Sequence, residues 1–351
     1  MSYKIVTLSG DGIGPEIMEQ GLKVLSIISE KCNFKYEIIS KDFGGVAIDK
    51  YGTPLPQDTL KATKEADAIL LAAVGHPRFN NNVVRPEQGL LEIRKELGLF
   101  ANVRPLKIYE CLTHLSPLKE EIVKGVDIVI VRELTGGIYF GEHSLQKDKA
   151  KDVNEYTSQE IKRILTYAFE LAQKRNKKLT SVDKQNVLST SKLWRNIADE
   201  VSQNYPQVTL SHQLVDSMAM FLITKPKEFD VIVTENLFGD ILTDEASALA
   251  GTLGVMASAS HGNSGVSLYE PIHGSAPDIE GKGIANPISM ILSVAMMLEQ
   301  SFNNKEAAQN IENAVKNALK DNILTPDLGG TATTIEMSKA IINRLSLTTN
   351  A

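Results

Sequence analysis

Apolar runs and helix-like periodicities alternate along the 351-residue chain. Short stretches rich in consecutive apolar residues are typical of strands that are buried on both faces. They cover residues 4–9, 35–40, 67–75, 101–107, 127–134, 178–184 and 229–235. Apolar positions three or four residues apart are typical of a helix with one buried face, and they cover residues 14–32, 57–66, 86–98, 158–175, 287–301, 305–320 and 333–345. This alternation predicts an α/β protein.

Two segments break the pattern and are predicted to be irregular. Residues 135–156 are polar, contain glycine and have no helical period, so we expect a projecting hairpin or arm. Residues 270–287, EPIHGSAPDIEGKGIANP, are rich in Gly, Pro and Asn and are predicted to form a long structured loop, which in a compact domain is usually functional. The length of the chain favours two domains, although no linker composition marks a boundary between them.

The composition limits which kinds of molecule the protein is expected to bind. The hydrophobic and charged fractions are 42% and 23%, and the formal net charge is −6, which gives no electrostatic reason to expect binding to nucleic acid or to an anionic membrane. The longest apolar run, residues 288–298, is too short and too interrupted by serine to cross a bilayer, and the N-terminus lacks a signal-peptide pattern. Cys32 and Cys111 have no metal-type spacing. We therefore expect a cytoplasmic protein that acts on a small molecule.

The segment GDGIGPE, residues 10–16, follows a predicted strand and precedes a predicted helix. This context suggests the glycine-rich turn of a dinucleotide-binding Rossmann fold, whose glycines are spaced G-x-G-x-x-G. Here the glycines are at positions 10, 12 and 14. The second strand ends in Ser40 and Lys41, without the acidic residue that binds ribose in that fold. We therefore interpret the segment as a tight strand-to-helix turn.

Three arginines lie where a ligand with carboxylates would be bound. Arg94 lies in a predicted helix, whereas Arg104 and Arg132 lie at the ends of apolar strands, the position at which α/β proteins bind ligands. A guanidinium group grips a carboxylate through two parallel hydrogen bonds, so three converging arginines would suit a di-acid. Taken singly, each of them is interpreted as a solvated surface residue.

Tyr139 and Lys184 are candidate proton carriers. Lys184 closes the predicted strand 178–184, and Tyr139 follows Gly136 and Gly137. On spacing alone, the simpler interpretation is an exposed lysine and a packed tyrosine.

Asp216, Asp240 and Asp244 together can supply the all-oxygen site that Mg²⁺ and Mn²⁺ prefer. Asp240 and Asp244 are four residues apart in a stretch, residues 234–254, that has the composition of a small-residue helix. Their carboxylates would share one helix face and repel each other unless a cation lies between them. A bare pair of this kind is more often a solvated face than a metal site, and no Cys/His cluster suggests zinc.

Asp278 lies in the predicted loop 270–287. Its carboxylate can accept hydrogen bonds from ribose hydroxyls and would repel a 2′-phosphate. This residue therefore favours NAD over NADP as a ligand of the loop.

Five segments resemble those of one family, the β-decarboxylating dehydrogenases of 2-hydroxy acids, which includes the isocitrate and isopropylmalate dehydrogenases. They are SGDGIGPEI (9–17), ANVRP (101–105), VRELTGGIYFG (131–141), NLFGDILTDEASALAGTLG (236–254) and HGSAPDIEGKGIANP (273–287). Each segment is only moderately specific, but the five in this order are highly specific, and the resemblance extends along almost the whole chain.

The resemblance implies a two-domain isocitrate/isopropylmalate dehydrogenase-like α/β fold, with a mixed sheet flanked by helices, which is not a Rossmann fold. The first domain would comprise residues 1–99 and 252–351 and would carry the cofactor loop. The second, residues 100–251, would carry the metal and catalytic residues, the dimer contacts and the arm at about 135–156. The family also implies a homodimer with shared active sites, in which Lys184 and Asp216 of one subunit reach into the site of the other.

Within the family, residues 86–95, PEQGLLEIRK, indicate the substrate. Glu87, Leu90 and Leu91 match positions that line a pocket for an isopropyl group, and Val187 would extend the same apolar wall. Isocitrate has a third carboxylate, and Leu90 and Leu91 would remove water from it without offering a hydrogen bond or a positive charge. These two leucines therefore argue against isocitrate as the substrate. Ala257 stands where relatives commonly have proline, and this departure is expected to loosen a loop near the cofactor without removing a functional group.

The activity that the resemblance implies is NAD-dependent oxidative decarboxylation of (2R,3S)-3-isopropylmalate to 4-methyl-2-oxopentanoate and CO₂, a step of leucine biosynthesis. Arg94, Arg104 and Arg132 would bind the malate carboxylates. Mg²⁺ or Mn²⁺ would be held by Asp216, Asp240 and Asp244, with Asp216 also close to the substrate. Lys184 would take the proton of the alcohol, and Tyr139 would protonate the enol. The NAD site would comprise Asn186, His273, Gly274, Ser275, Ala276, Pro277, Asp278, Ile279 and Asn286.

Two alternatives stay open. One is the same chemistry on another 2-hydroxy di-acid, such as homoisocitrate, tartrate or malate. The other is a non-catalytic regulatory subunit, a type that the family includes. Such a subunit would be expected to lose catalytic groups, whereas all eight of the catalytic, substrate-binding and metal-binding positions from Arg94 to Asp244 are filled as the enzyme requires.

Overall fold

The computed structural model of the protein describes residues 2–347. Within these residues the chain forms twelve β-strands and twelve α-helices, joined by turns and short 3-10 helices. In chain order, the strands are β1 (Ser2–Gly10), β2 (Lys35–Ser40), β3 (Ala68–Ala73), β4 (Leu99–Lys107), β5 (Asp127–Glu133), β6 (His143–Leu145), β7 (Ala150–Asp152), β8 (Lys178–Asp183), β9 (Thr209–Leu214), β10 (Val231–Thr234), β11 (Ala257–Gly262) and β12 (Leu268–Pro271).

The helices alternate with these strands. In chain order they are α1 (Gly14–Lys31), α2 (Gly45–Tyr51), α3 (Gln57–Lys64), α4 (Pro86–Glu96), α5 (Glu120–Val123), α6 (Ser158–Gln173), α7 (Ser189–Ser202), α8 (Val215–Thr224), α9 (Asn236–Ala250), α10 (Ile288–Gln300), α11 (Lys305–Lys320) and α12 (Thr334–Leu347). The predicted strands and helices are all present, with ends shifted by a few residues, and the α/β class is confirmed. No helix among residues 2–347 is long and apolar enough to cross a membrane.

The chain divides into two compact units, Met1–Leu99 with Thr252–Ala351 and Phe100–Gly251. In the first unit the strands lie in the order β2-β1-β3-β12-β11, where β11 alone is antiparallel to its neighbour. Val6 and Leu71 of these strands share a buried cluster with Leu60 of α3 and Ile93 of α4. Helix α10 contacts β3, β11 and β12, α1 contacts β1 and β3, and α11 and α12 pack against these helices.

The second unit has the strand order β4-β5-β10-β8-β9, in which β4 is antiparallel and the others are parallel. Its core joins these strands to α6 and α7, with Trp194 and Phe169 as the largest side chains that are almost completely buried. Helix α6 begins with a capping box, because Thr157 and Glu160 each accept a hydrogen bond from the other's backbone N–H. Helices α8 and α9 pack together, and α9 contacts β5 and β10.

The segment predicted as an arm forms a short antiparallel hairpin, in which β6 pairs with β7. All the residues of these two strands are exposed. The long loop predicted at residues 270–287 begins slightly later than expected, because its first two residues still belong to β12.

The turn between β1 and α1 is as tight as its glycines predict. Gly10 and Gly12 have φ values of +67° and +55°, and a Cβ at Gly12 would lie 2.1 Å from the carbonyl oxygen of Ser275. The buried carboxylate of Asp11 accepts hydrogen bonds from the N–H groups of Gly45 and Gly75 at 2.8 and 2.9 Å. The glycines therefore serve close packing of three loops in the first unit, and the predicted strand-to-helix turn is confirmed.

Candidate active site

Asp240, on helix α9, lies at the centre of a polar cluster in the second unit. Its carboxylate accepts a hydrogen bond from Nη1 of Arg132 and a second one, at 2.7 Å, from the hydroxyl of Tyr139. Arg132 is buried near the carboxyl end of β5. Gly239 allows α9 to approach this strand, since a Cβ there would lie 2.6 Å from Cγ of Arg132. The NLFGD sequence thus brings a carboxylate against an arginine that is 108 residues away.

Arg104, on β4, extends the cluster one helical turn along α9. Its Nη1 lies 3.6 Å from Oδ1 of Asp244 and donates to Oγ1 of Thr243 at 2.8 Å. Its Nε donates to Oδ1 of Asn102, also at 2.8 Å. The side chain of Asp244 is 80% exposed, so its oxygens are accessible to a ligand. The structure therefore brings five predicted site residues into one group, namely Arg104, Arg132, Tyr139, Asp240 and Asp244.

Tyr139 is carried by a 3-10 turn, Gly137–Tyr139, that packs on Tyr156. Gly137 has a φ of +78°, and a Cβ there would lie 2.4 Å from the hydroxyl of Tyr156, so the two glycines before Tyr139 are needed for this close contact. Partial burial and the hydrogen bond to Asp240 raise the pKa of Tyr139 to about 12. At neutral pH its phenol is therefore a protonated donor.

Lys184 and Asp216 form a separate ion pair in the second unit. Lys184 directly follows β8, Asp216 lies in the first turn of α8, and Nζ and Oδ1 are 2.5 Å apart. The hydrogen bond from Lys184 holds the pKa of the Asp216 carboxyl below its usual range. Asn186 and Val187 lie in the turn that follows Lys184, and both are exposed.

The structure does not gather the three predicted metal ligands in one chain. Among residues 2–347, no three His, Cys, Asp or Glu side chains lie together in a way that could hold a metal ion. Asp240 and Asp244 are neighbours on α9, whereas Asp216 is paired with Lys184.

In the first unit, helix α4 carries four of the predicted substrate-binding residues. Arg94 donates from Nη2 to Oε1 of Glu270 at 2.8 Å, and its buried Nε has no partner among the described residues. Leu90 packs partly against the core, while Glu87 and Leu91 are exposed. The helix therefore presents a partly buried arginine together with a partly buried Leu90 and an exposed Leu91.

The predicted cofactor loop is anchored to the rest of the first unit. The Ser275 hydroxyl donates to the carbonyl of Gly75, and the Ser275 carbonyl accepts from the N–H of Ile13 at 2.8 Å. Asn286 is buried, accepting from the N–H of Ile288 and donating to Asp327, both at 3.0 Å. These contacts fix the loop near both of its ends.

Residues 273–279 of this loop have features that fit a nucleotide. The Nε2 atom of His273 is buried and has no partner within residues 2–347, and burial lowers the pKa of this imidazole, so it is neutral. Gly274 leaves open space, since a Cβ there would meet no atom within 4 Å. Ala276 has a φ of +39°, in a region that costs energy for a residue with a side chain. Pro277 and Ile279 are partly buried, and Asp278 is exposed.

The model of the isocitrate/isopropylmalate dehydrogenase family matches residues 4–341 of the chain. The chain belongs to this family. Its relatives include the 3-isopropylmalate dehydrogenase of Lactococcus lactis, which is 67% identical over 97% of this chain and 99% of its own length. The enzyme of the same name from Streptococcus thermophilus is 66% identical over 98% of this chain and 100% of its own.

Solved structures of the family share the fold. Isocitrate dehydrogenase from Methylococcus capsulatus has a TM-score of 0.89 and 36% identity, covering 98% of this chain and 99% of its own. A β-decarboxylating dehydrogenase from Thermococcus kodakarensis has a TM-score of 0.83 and 36% identity, covering 98% and 96%. The predicted isocitrate/isopropylmalate dehydrogenase-like fold, with a mixed sheet flanked by helices, is confirmed, and so is the family resemblance.

The donor set on α9 fits the metal that the family implies. Asp240 and Asp244 offer only carboxylate oxygens, which hard divalent cations such as Mg²⁺ and Mn²⁺ prefer. Asp244 is exposed, and the partners of Asp240 are an arginine and a neutral phenol. A cation would relieve the repulsion between the two carboxylates.

Three residues in contact with the predicted site were not among those singled out from the sequence. Asn236 and Asn102 accept hydrogen bonds from Arg132 and Arg104, and Glu270 pairs with Arg94. Their positions in the sequence could have identified the two asparagines. Asn236 begins the NLFGD segment, and Asn102 lies two residues before Arg104 on the same strand face. No local pattern marks Glu270.

Proposed function

We propose that the protein catalyses the NAD-dependent oxidative decarboxylation of (2R,3S)-3-isopropylmalate to 4-methyl-2-oxopentanoate and CO₂, a step of leucine biosynthesis. The observation that carries the proposal is the 63–67% identity, over at least 97% of this chain, to relatives that are all named 3-isopropylmalate dehydrogenase. The cluster on α9 supports it, because its arginines, acids and tyrosine suit a di-acid substrate.

The substrate carboxylates would be bound by three arginines. Arg104 and Arg132 are held in fixed orientations beside α9, and Arg94 is partly buried on α4, with a buried Nε that has no partner in the described chain. Guanidinium groups bind carboxylates with matched geometry. The isopropyl group would lie on the apolar surface of Leu90 and Leu91, with Glu87 beside it and Val187 extending the wall.

Asp240 and Asp244 of one subunit and Asp216 of another would hold Mg²⁺ or Mn²⁺. When bound, this ion would act as a Lewis acid on the hydroxyl and a carboxylate of the substrate. The protein would then be a homodimer with shared active sites. Met220 on α8 and Ile241 on α9 support this assembly, since these large apolar side chains are 54% and 56% exposed on two helices that pack together.

The proton transfers would be carried out by two residues of the second unit. Lys184, as a neutral amine, would accept the proton of the substrate alcohol and become the ammonium, with Asp216 beside it to orient the group. Tyr139 would donate its proton to the enol left after CO₂ has departed, and its hydrogen bond to Asp240 fixes the direction of the phenol.

NAD⁺ would supply the hydride acceptor. It would be bound by the segment His273–Ile279 together with Asn286, and by Asn186 near Lys184. Asp278 is exposed on this loop, so its carboxylate would accept from ribose hydroxyls and disfavour a 2′-phosphate. We place the enzyme in the cytoplasm and assign the two compact units as its two domains.

The substrate is tested by comparing kcat/KM for five acids with Mn²⁺ and NAD⁺ present: 3-isopropylmalate, isocitrate, homoisocitrate, tartrate and malate. We expect 3-isopropylmalate to be the best substrate by at least a factor of about 10, the value for losing one to two buried methyl groups. A higher kcat/KM for any of the other acids would overturn the assignment of the substrate, and no activity on any of them would point to a regulatory subunit.

A pair of variants tests whether Leu91 belongs to the proposed apolar wall of the substrate pocket. Leu91→Asn should lower kcat/KM for 3-isopropylmalate but leave that for malate within about twofold, because malate has no isopropyl group. Ile335→Asn is the matched control, since Ile335 is 51% exposed, close to the 45% of Leu91, and lies on α12. Equal effects of the two variants would show that Leu91 does not contact the substrate.

A further inference from the structure

We propose that Asn236 and Asn102 are positioning residues that hold Arg132 and Arg104 by neutral amides, which orient the two arginines without adding a further negative charge beside them. The inference rests on the proposed function, in which these arginines bind the malate carboxylates. Neither asparagine would touch the substrate, and each would act through its arginine.

Asn236 is almost fully buried at the first position of α9. Its Oδ1 accepts two hydrogen bonds from one edge of the Arg132 guanidinium, from Nε at 3.0 Å and from Nη2 at 2.8 Å. Its Nδ2 donates to the carbonyl of Gly136 at 3.2 Å. One amide therefore fixes both the arginine and the turn that carries Tyr139, and it leaves Nη1 of Arg132 directed at Asp240.

Asn102 repeats this arrangement for Arg104. It is fully buried on β4, directly across from Arg132 on β5. Its Oδ1 accepts from Nε of Arg104 at 2.8 Å, while Nη1 of Arg104 is held by the Thr243 hydroxyl. Both of these acceptor oxygens, Oδ1 of Asn102 and Oγ1 of Thr243, are uncharged.

Other arginines of the same unit are held differently. Arg195 donates twice to the buried carboxylate of Asp183, Arg175 donates to the buried carboxylate of Asp230, and Arg163 donates to that of Glu133. A buried carboxylate neutralises the guanidinium that it orients. These pairs are suited to holding structure, whereas an amide orients an arginine without neutralising it.

The carboxylates that do contact Arg132 and Arg104 belong to the proposed metal site. Asp240 is partly exposed, and Asp244 is largely exposed and 3.6 Å from Arg104. Each guanidinium therefore has two sides. One is buried and held by a neutral amide, and the other faces the proposed site.

Asn236→Asp tests the role of charge, because it keeps the acceptor oxygen and adds a negative charge beside Arg132. We expect the KM for 3-isopropylmalate to rise at least tenfold, with the KM for NAD⁺ changing less than threefold. Asn236→Ala should raise the same KM through loss of orientation. Asn102→Asp should act like Asn236→Asp.

Tyr156→Phe is the control for structural damage at the same place. The Tyr156 hydroxyl accepts from the backbone N–H of Asn236 at 2.9 Å, so this variant weakens the start of α9 without adding charge. We expect it to lower the melting temperature but to leave the KM for 3-isopropylmalate within twofold. If Asn236→Asp also left that KM unchanged, a purely structural role would be shown and the proposal would be overturned.

A second readout does not depend on turnover. Hydrogen exchange of the Arg132 Nε–H, assigned in ¹⁵N spectra as the signal missing from Arg132→Lys, should be slow in the wild type, Asn236→Asp and Tyr156→Phe, and fast in Asn236→Ala. Calorimetric binding of malate without NAD⁺ should be weakened by Asn236→Asp. If the wild type gave no NADH from 3-isopropylmalate, the proposed function would fail, and these two measurements would still decide the positioning role. Slow exchange in Asn236→Ala, or unchanged malate binding in Asn236→Asp, would overturn it.

Discussion

Nζ of Lys184 and Oδ1 of Asp216 lie 2.5 Å apart, so the proposed base and one proposed metal ligand form an ion pair within one chain. The first residue follows β8 and the second opens α8. The structure places neither of them in the group on α9 that holds Asp240 and Asp244, which is the arrangement that a site completed by a second subunit requires.

Replacing Lys184 by Met should reduce kcat for 3-isopropylmalate by a factor of about 10² or more, because the alcohol would lose its proton acceptor. Steady-state kinetics at saturating Mn²⁺ and NAD⁺ measure this. Lys192→Met is the matched control, since Lys192 is an exposed lysine on α7 and its loss should leave kcat unchanged. Near-normal turnover of the Lys184 variant would remove this residue from proton transfer.

Asp244→Asn should weaken activation by Mn²⁺, because it removes one charged oxygen ligand from a site for a hard cation. We expect the Mn²⁺ concentration for half-maximal activity to rise at least tenfold. The control is Asp58→Asn, which changes an exposed aspartate of the first unit that is paired with Lys41. A metal titration identical to that of the wild type would exclude Asp244 from the metal site.

Asp278→Lys should relax the preference for NAD⁺ over NADP⁺, because a cation would replace the carboxylate that repels the 2′-phosphate. The ratio of kcat/KM for the two cofactors is expected to shift by at least tenfold towards NADP⁺. Glu280→Lys makes the same charge change two residues away, also at an exposed position, and should shift the ratio less. Equal shifts in the two variants would mean that the discrimination lies elsewhere.

His261 is predicted to make the folded state sensitive to acid. The imidazole is buried, with Nδ1 2.8 Å from the Ser267 hydroxyl, and burial lowers its pKa to about 4. In the unfolded chain a histidine titrates near 6.5. Between these values only the unfolded state binds the proton, so the free energy of unfolding should be fully retained above about pH 6.5 and should fall as the pH drops towards 4.

This contribution is measured by urea unfolding at pH 7 and pH 5 at one protein concentration. The wild type should lose about 2 kcal/mol more than His261→Gln between these pH values. Titrating carboxylates are common to both proteins and cancel in the comparison. Equal losses would show that His261 is not kept neutral by the fold.

Local sequence predicts those elements whose apolar positions are the ones buried inside the chain. Strand β3, AILLAA, is buried along its whole length, and α6 combines helical period with the Thr157–Glu160 capping box. Helix α8, VDSMAMFLIT, has no polar face to reveal a period, and Met220 on it is half exposed. This helix contacts α9, β8 and β9, and local periodicity cannot show which side of so apolar a helix is buried.

The grouping of Arg104, Arg132, Tyr139, Asp240 and Asp244 was predictable only through the family resemblance. Spacing alone favours a solvated face for Asp240 and Asp244 and a packed ring for Tyr139. The hydrogen bond from Arg132 to Asp240 joins residues 108 positions apart, and it depends on the strand order β4-β5-β10 and on the missing side chain of Gly239. These features belong to the tertiary structure, as does the orientation of the arginines by buried asparagines, so local sequence patterns do not reveal them.

The most direct measurement is the formation of NADH and CO₂ from (2R,3S)-3-isopropylmalate and NAD⁺ by the full chain, with Mn²⁺ and after its removal by a chelator. Equal amounts of NADH and CO₂ with Mn²⁺, and neither product without it until Mn²⁺ is restored, are the predicted result. NADH without CO₂, products that persist in the chelator, or no products with Mn²⁺ would contradict a metal-dependent oxidative decarboxylation of this substrate.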